Sequence, residues 1–393
     1  MLEFDHIIAP LTRDQFFADY WNKSFIAAKG KAGRFANLLG WEELNAILEQ
    51  HRLSPPRFRL TQEGRTIEPF RYMSPGAGGI SQLNSGKLAA CLSGGATLVL
   101  DCVEELAPRV RQLAASFRDA LRAGNYVNLY AGWHSQNGLD LHWDSQEIMV
   151  LQVAGRKRWQ IYQPTRRNPL PDDIEAPPKP TGLPVWDGVL EDGDMLYIPR
   201  GWWHVAFPLG EPSLHLTVAT VPPHGMDLLQ WLLGRLRRQE AVRGDLPQLG
   251  DAKGQAAYLQ ALRLLLAEAL ADDVIAEFRH EWEGDLRPFP HIRLPDMPYV
   301  QIETPDDTHR IRLAAAHHLH FVHNGGSMEF KAHDVLWSGL PPDLAATLEM
   351  LSDTHAVTFG ELCSRLNGDA AIAHLRQTLA ALARAGVVLI EKP

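Results

Sequence analysis

The run Leu141-His142-Trp143-Asp144 sets an imidazole and a carboxylate two positions apart, and His204 follows Asp144 by 60 residues. On a strand, residues i and i+2 project to the same side, so His142 and Asp144 are expected to point together into a fold interior. A distant strand must then bring His204 to them. Two imidazoles and one carboxylate on one face of a ferrous ion leave coordination positions open, which is what oxygen chemistry needs. A lone HxD motif is weak, since about one arises by chance in a chain of this size. Here the surroundings strengthen it: HWD ends a strand-like run, EIMVLQVAGRKRWQIY follows at once, and His204 closes EDGDMLYIPRGWWH. The bland alternative is a pair of histidines satisfied within an ordinary core.

Short apolar and β-branched runs must position these groups. ATLVLD, YVNLYAG, LDLHWD, EIMVLQVAG, RWQIYQP, DMLYIP, HVAFPL and SLHLTVATV are separated by turn residues. Many short strands in succession predict a sandwich or barrel. Upstream, LTRDQFFADYWNKS and WEELNAILEQH read as amphipathic helices, and VEELAPRVRQLAASFRDALRAG as a helix stopped at Gly124. After Pro223 the period changes. MDLLQWLLGRLRRQ and the long AAYLQALRLLLAEALADDVIAEFRHEW are helical, and the proline-rich DLRPFPHIRLPDMP reads as a linker. Three short helices ending in a strand close the chain in a winged-helix pattern. The expected division is 1–224, 225–290 and 291–393, the middle part being a helical dimerisation region.

Composition limits the function classes. The chain has 393 residues, 45% hydrophobic and 22% charged, with a formal net charge of -9. That balance is poor for a general nucleic-acid binder, which needs excess Lys and Arg against phosphate. From Asp334 onward four Lys or Arg face seven Asp or Glu, so DNA binding by the C-terminal part is not expected. Cys91, Cys102 and Cys363 are odd in number and far apart, which fits a reducing compartment. No basic leader precedes an apolar run, and no stretch nears the roughly 20 apolar residues of a membrane span. A cytoplasmic protein without a membrane segment is expected.

Five motifs occurring in order resemble the JmjC-type cupin oxygenases, above all the ribosomal-protein hydroxylases. They are NLY at Asn128–Tyr130, HWD at His142–Asp144, GRKRW at Gly155–Trp159, GDMLYIPRGWWH at Gly193–His204 and SLHLTV at Ser213–Val218. The resemblance covers about Leu11 to Val221, and by pattern more than motif the region beyond. It implies an α+β fold with a double-stranded β-helix (cupin, jelly-roll) core and flanking helices. It also implies Fe(II) as metal, 2-oxoglutarate as cosubstrate, and His142, Asp144 and His204 as metal ligands and catalytic centre. Lys157 matches the position that binds the far carboxylate of 2-oxoglutarate; a buried dianion needs a fixed cation. Against this stands a solvated basic turn. Asn128 and Tyr130 match positions facing the same cavity, the alternative being a strand Asn and a core Tyr satisfied locally. In SLHLTV, alternation sends Ser213, His215 and Thr217 to one side, expected to be the cavity. His215 is expected to neighbour the ligands rather than join them, since the triad is complete.

The resemblance further implies a protein or peptide substrate, such as a histidine or arginine of a ribosomal protein. In the loop AGWHSQNGLD, Trp133 and His134 could pack on a substrate residue, and Asp140 is the loop's one carboxylate, so no guanidinium clamp is evident. Rival readings are a tailoring hydroxylase for a small peptide or amino acid, a winged-helix transcription regulator with a sensory cupin, and a non-catalytic metal-binding cupin. Histone demethylation is disfavoured by the lack of reader modules. The apolar helices between Met226 and Trp282 suggest a homodimer, or else packing within the chain. Trp202 and Trp203 are expected to pack the barrel. His317, His318, His320 and His323 form a cluster that could bind metal, though a polar strand edge is the favoured reading.

Overall fold

A computed structural model of the chain describes residues 2–170, 172–173, 177–285, 305–314, 319, 321–324, 326–332, 335–353 and 356–391. The chain divides into two compact units, Met1–Pro222 and Pro223–Pro393.

The first unit is built on strands β1 (Ile26–Ala28), β2 (Phe58–Gln62), β3 (Arg65–Thr66), β4 (Met73–Pro75), β5 (Ser81–Leu83), β6 (Thr97–Leu100) and β7 (Gly124–Gly132). They continue as β8 (Glu147–Ala154), β9 (Lys157–Tyr162), β10 (Trp186–Leu190), β11 (Met195–Ile198), β12 (Trp203–Pro208) and β13 (Ser213–Val221). Among the described residues, a large sheet runs β1-β11-β8-β13-β7-β6-β2-β3, and a smaller one β10-β9-β12. Every pairing in both is antiparallel. One core cluster joins Ile148, Val150, Leu196 and Ala219 of the large sheet to Trp159, Ile161 and Leu190 of the small one. Two antiparallel sheets sharing a core make the expected jelly-roll architecture.

β8 is buried along nearly its whole length because both faces are covered. One face turns to the core between the sheets. On the other, Tyr197 of the adjoining β11 packs on Phe16 with ring centroids 4.9 Å apart and stacks on Trp21 at 5.9 Å. The Tyr197 hydroxyl donates to Glu147 (2.5 Å) and accepts from the Asn22 backbone (2.8 Å), tying the N-terminal segment to the sheet. Burial pushes Glu147 up to about 7 despite that hydrogen bond. Helix Pro108–Leu121 turns Val110, Leu113, Ala114 and Phe117 inward, and Phe117 meets Phe4 edge to face at 5.1 Å.

The turn before β11 is fixed from both sides. Asp194, 1% exposed, accepts from the backbone N–H groups of Gly30 (2.9 Å) and Glu191 (2.8 Å) and from Lys29 Nζ (2.8 Å). Gly193 lies at φ +90°, and a Cβ there would stand 2.0 Å from the Lys31 carbonyl oxygen. Both the left-handed backbone and the close approach therefore require glycine.

Two elements of this unit differ from expectation. LDLHWD forms no strand; only His142 enters a bridge, because the segment meets another strand at one residue and finds no ladder beyond it. The helix expected from Val103 is split into a 3-10 turn, Val103–Glu105, and helix Pro108–Leu121. Pro108 sits at the first helical position, where its missing N–H costs nothing. The helix ends at Arg122 in left-handed backbone, and Gly124 already opens β7.

In the second unit, helices Gly225–Leu236, Ala252–Ala269 and Val274–Asp285 replace the expected pair of long helices. The interruption follows Leu270, whose backbone leaves the helical region. Farther on, strands Arg310–Leu313, Val357–Thr358 and Val388–Glu391 form one sheet. Helices Pro342–Asp353, Phe359–Cys363 and Asp369–Arg384 accompany it, with Ile311, Leu348, Phe359, Leu375 and Leu382 in a common core. Most of the proline-rich linker lies outside the described residues, as do His317, His318 and His320 and the side chain of His323. No helix among the described residues is long and apolar enough to cross a membrane.

Candidate metal centre and its cavity

His142 and His204 are opposite one another in a two-bond bridge. His142 N donates to the His204 carbonyl (3.1 Å), and His204 N to that of His142 (2.8 Å). The bridge brings the imidazoles to a centroid separation of 4.3 Å. Gly201 N holds the Asp144 carbonyl at 2.8 Å, so the bend before β12 fixes the third group as well. One ligand atom from each of His142, Asp144 and His204 lies within 4.8 Å of the others. His204 Nε2 is 3.4 Å from an Asp144 carboxylate oxygen.

These groups fit a divalent metal. His142 Nδ1 faces the Asp140 carbonyl at 2.7 Å and His204 Nδ1 the Trp202 carbonyl at 3.1 Å. A carbonyl can only accept, so each Nδ1 carries the proton and each Nε2 keeps a lone pair for a metal. Burial, then the charge of His142, pushes His204 down to about 4, while Asp144 opposes the shift. His204 is thus neutral at physiological pH, as a ligand must be. Two nitrogens and one oxygen from one side are the donor set of non-haem iron sites.

The triad opens into a cavity of about 260 Å³ within the jelly roll. Lys157, 4% exposed, projects into it from β9. Its Nζ lies 3.5 Å from His215 Nδ1, and burial pushes it down to about 7. His215 is itself held well below the ordinary imidazole value, first by burial and then by Lys157. Its ring stacks on Tyr130 at 4.9 Å, nearly parallel, and meets Trp159 edge-on at 5.5 Å. Tyr130 is paired with His215, and Asn128 with Thr217, across the β7–β13 ladder. All four therefore share the face that lines the cavity. Burial, followed by the Asp144 charge, raises the Tyr130 phenol; a hydrogen bond with Asn128 opposes it.

Residues 105–228 match the JmjC domain family. The match covers less than a third of the chain. Over 227 residues the chain is 29% identical to the bifunctional lysine-specific demethylase and histidyl-hydroxylase NO66 of Drosophila persimilis, covering 54% of this chain and 31% of that protein. It is 27% identical over 315 residues to ribosomal oxygenase 1 of Rattus norvegicus, covering 71% of this chain and 51% of that one. The chain thus spans about half or less of the length of these relatives. A solved structure of YcfD, a ribosomal oxygenase from Escherichia coli in complex with cobalt and 2-oxoglutarate, shares the fold. Its TM-score is 0.58 at 17% identity, covering 97% of this chain and 99% of that one.

Within the matched segment, Asn128, Tyr130, Lys157, His215 and Thr217 line one cavity with the triad, but Ser213 does not. Its hydroxyl instead accepts from Gln152 Nε2 at 3.1 Å. At Leu214/His215 the pairing with β8 skips Val153, whereas β13 keeps an unbroken register with β7, so Ser213 keeps its alternation but ends beside Gln152. In the preceding loop, Trp133 packs on Trp41 at 5.6 Å and His134 is exposed; Gly138 and Leu139 are the loop residues that reach the cavity. Asp140 accepts from Asn137. Trp202 packs on Phe25 at 5.6 Å, and Trp203 donates its indole N–H to Thr165 at 2.9 Å. Sequence reasoning missed Arg59, Thr97 and the role of Trp159. Arg59 comes from β2 and is paired with Asp101; nothing in FRLTQ marks it as a wall residue. Trp159 shares a strand face with Lys157, two residues on, and that spacing could have found it.

Proposed function

We propose that this chain is an Fe(II)- and 2-oxoglutarate-dependent oxygenase that hydroxylates a histidine side chain of a protein, with ribosomal proteins as the substrate class. The observation that carries the reading is a buried lysine, with no carboxylate partner among the described residues, in the same cavity as two imidazoles and a carboxylate. Burying an amine in this way is costly unless an anion arrives to meet it. The likeness to the rat ribosomal oxygenase and to the E. coli ribosomal oxygenase that holds 2-oxoglutarate supports the same direction.

When bound, Fe(II) and 2-oxoglutarate supply the oxidising chemistry: dioxygen is consumed, the cosubstrate becomes succinate and carbon dioxide, and one oxygen atom enters a substrate C–H bond. His142, Asp144 and His204 hold the metal. Lys157 takes the far carboxylate, and Asn128, Tyr130 and Thr217 offer hydrogen bonds along the wall. Trp159, Ile148 and Leu139 add apolar surface that keeps water out.

Charge favours histidine over arginine. Among the described residues lining the cavity, Asp144 is the sole carboxylate, and it belongs to the triad; Arg59 and Lys157 are basic. A guanidinium or a methylated lysine would be desolvated without a counter-charge, whereas a neutral imidazole would not. The test is mass spectrometry of ribosomal proteins incubated with the chain. A gain of one oxygen atom on a histidine, requiring both iron and 2-oxoglutarate, is expected; a gain confined to free amino acids or short peptides would favour a tailoring enzyme.

The same proposal extends to the second unit. Residues 225–290 are read as a dimerisation region, since Leu229, Leu233, Leu264 and Ile275 are 48–63% exposed and such apolar faces want a partner. Residues 291–393 are read as a winged helix engaging protein rather than DNA, and the enzyme as cytoplasmic. Light scattering should report a homodimer; a monomer at micromolar concentration would remove that part.

A further inference from the structure

Lys157 and His215 present an arrangement that cosubstrate binding alone does not explain. Both are almost completely buried, 4% and 2% exposed. The hydrogen-bond partner described for Lys157 Nζ is an imidazole nitrogen, not an oxygen. The imidazole cannot turn away freely, being stacked on Tyr130 and closed at the edge by Trp159. An amine and an imidazole nitrogen facing each other are satisfied by one proton between them. Either the ammonium donates to Nδ1, or Nδ1–H donates to the neutral amine. Two protons would set donors against each other.

We propose that Lys157 and His215 form a one-proton latch, in which His215 positions the uncharged or singly protonated pair until a dicarboxylate enters and a proton is taken up from solvent. This rests on the cosubstrate reading of Lys157 and adds the partner that holds it. On binding, the amine gains one proton and becomes an ammonium facing the incoming carboxylate, while His215 stays neutral and accepts from it through Nδ1. The other charged or titratable groups lining the cavity are Tyr130 on β7, Arg59 on β2, His204 on β12, and His142 and Asp144 before β8. The proton is assigned to this pair because Lys157 Nζ and His215 Nδ1 face each other at 3.5 Å.

The test is calorimetric titration of 2-oxoglutarate into the full chain loaded with Co(II), in buffers of differing ionisation enthalpy. Uptake close to one proton per ligand is expected near pH 8, fading by about pH 6, where the amine is already charged. His215→Phe preserves the stack but removes the acceptor, and should weaken binding by roughly tenfold or more. His215→Asn restores an acceptor near the Nδ1 position and should recover most of that loss. Binding without proton uptake, or an Asn variant no better than Phe, would overturn the latch while leaving the cosubstrate reading intact. If wild-type protein fails to bind 2-oxoglutarate at all, the cosubstrate reading falls and the latch with it.

Discussion

Asp144→Ala is expected to bring succinate formation from 2-oxoglutarate to background, a loss of at least about 100-fold, since disturbing even the outer partners of a metal ligand costs 10–100-fold. His142→Ala should do the same. Each change removes one of three donors whose ligand atoms lie within 4.8 Å of one another. Neither should unfold the protein. The bridge between His142 and His204 is made by backbone groups, and the Asp144 side chain is 33% exposed, so truncation leaves no large internal void. His204→Ala is a less clean experiment: that side chain is 4% exposed and packs near Trp159, so activity and stability would fall together. Turnover of 2-oxoglutarate at the wild-type rate by Asp144→Ala protein would show that the metal is held elsewhere.

Lys157→Met separates affinity from stability. Methionine is close to lysine in length and carries no charge. Losing one partner of a buried charge pair typically costs about 2–5 kcal/mol, so the KM for 2-oxoglutarate should rise by roughly 30-fold to several-thousand-fold. The ligand-free protein should instead become more stable, because a buried amine without a counter-ion is replaced by an apolar chain. The gain has a sign in pH. Lys157 is depressed to about 7 in the folded chain, so between there and the ordinary lysine range the unfolded state binds more protons, and wild-type stability rises with pH. The variant lacks that group. Its melting-temperature advantage should be largest near pH 6 and shrink toward pH 9. An unchanged KM together with a lower melting temperature would make Lys157 a structural residue.

Much of this site was legible from residue types because its parts obey short-range rules. The strand period placed Asn128 and Tyr130 on one face of β7, and His215 and Thr217 on one face of β13; the β7–β13 register pairs them on the same side of the sheet. Failures came where a local rule was overridden by a contact far along the chain. His142 and Asp144 do point to one place, but through a single bridge to His204 rather than along a strand. Ser213 obeys the alternation of its own strand, yet a bulge in the neighbouring ladder and the Gln152 amide take it from the cavity. Arg59 could not be found at all. Its place in the wall depends on β2 lying beside β6 and β6 beside β7, a tertiary fact without a local signature. The Lys157–His215 approach likewise joins residues 58 positions apart; sequence could nominate each but not the pair.

The most direct test is an anaerobic optical titration, because Fe(II) and a 2-oxo acid chelated to it together give a visible charge-transfer absorption that neither gives alone. Fe(II)-loaded wild-type chain should develop that band on addition of 2-oxoglutarate and saturate at one cosubstrate per chain, whereas Asp144→Ala should not develop it. A folded wild-type chain that gives no band, or an Asp144→Ala chain that gives it undiminished, would contradict a metal held by His142, Asp144 and His204 at the mouth of the Lys157 cavity.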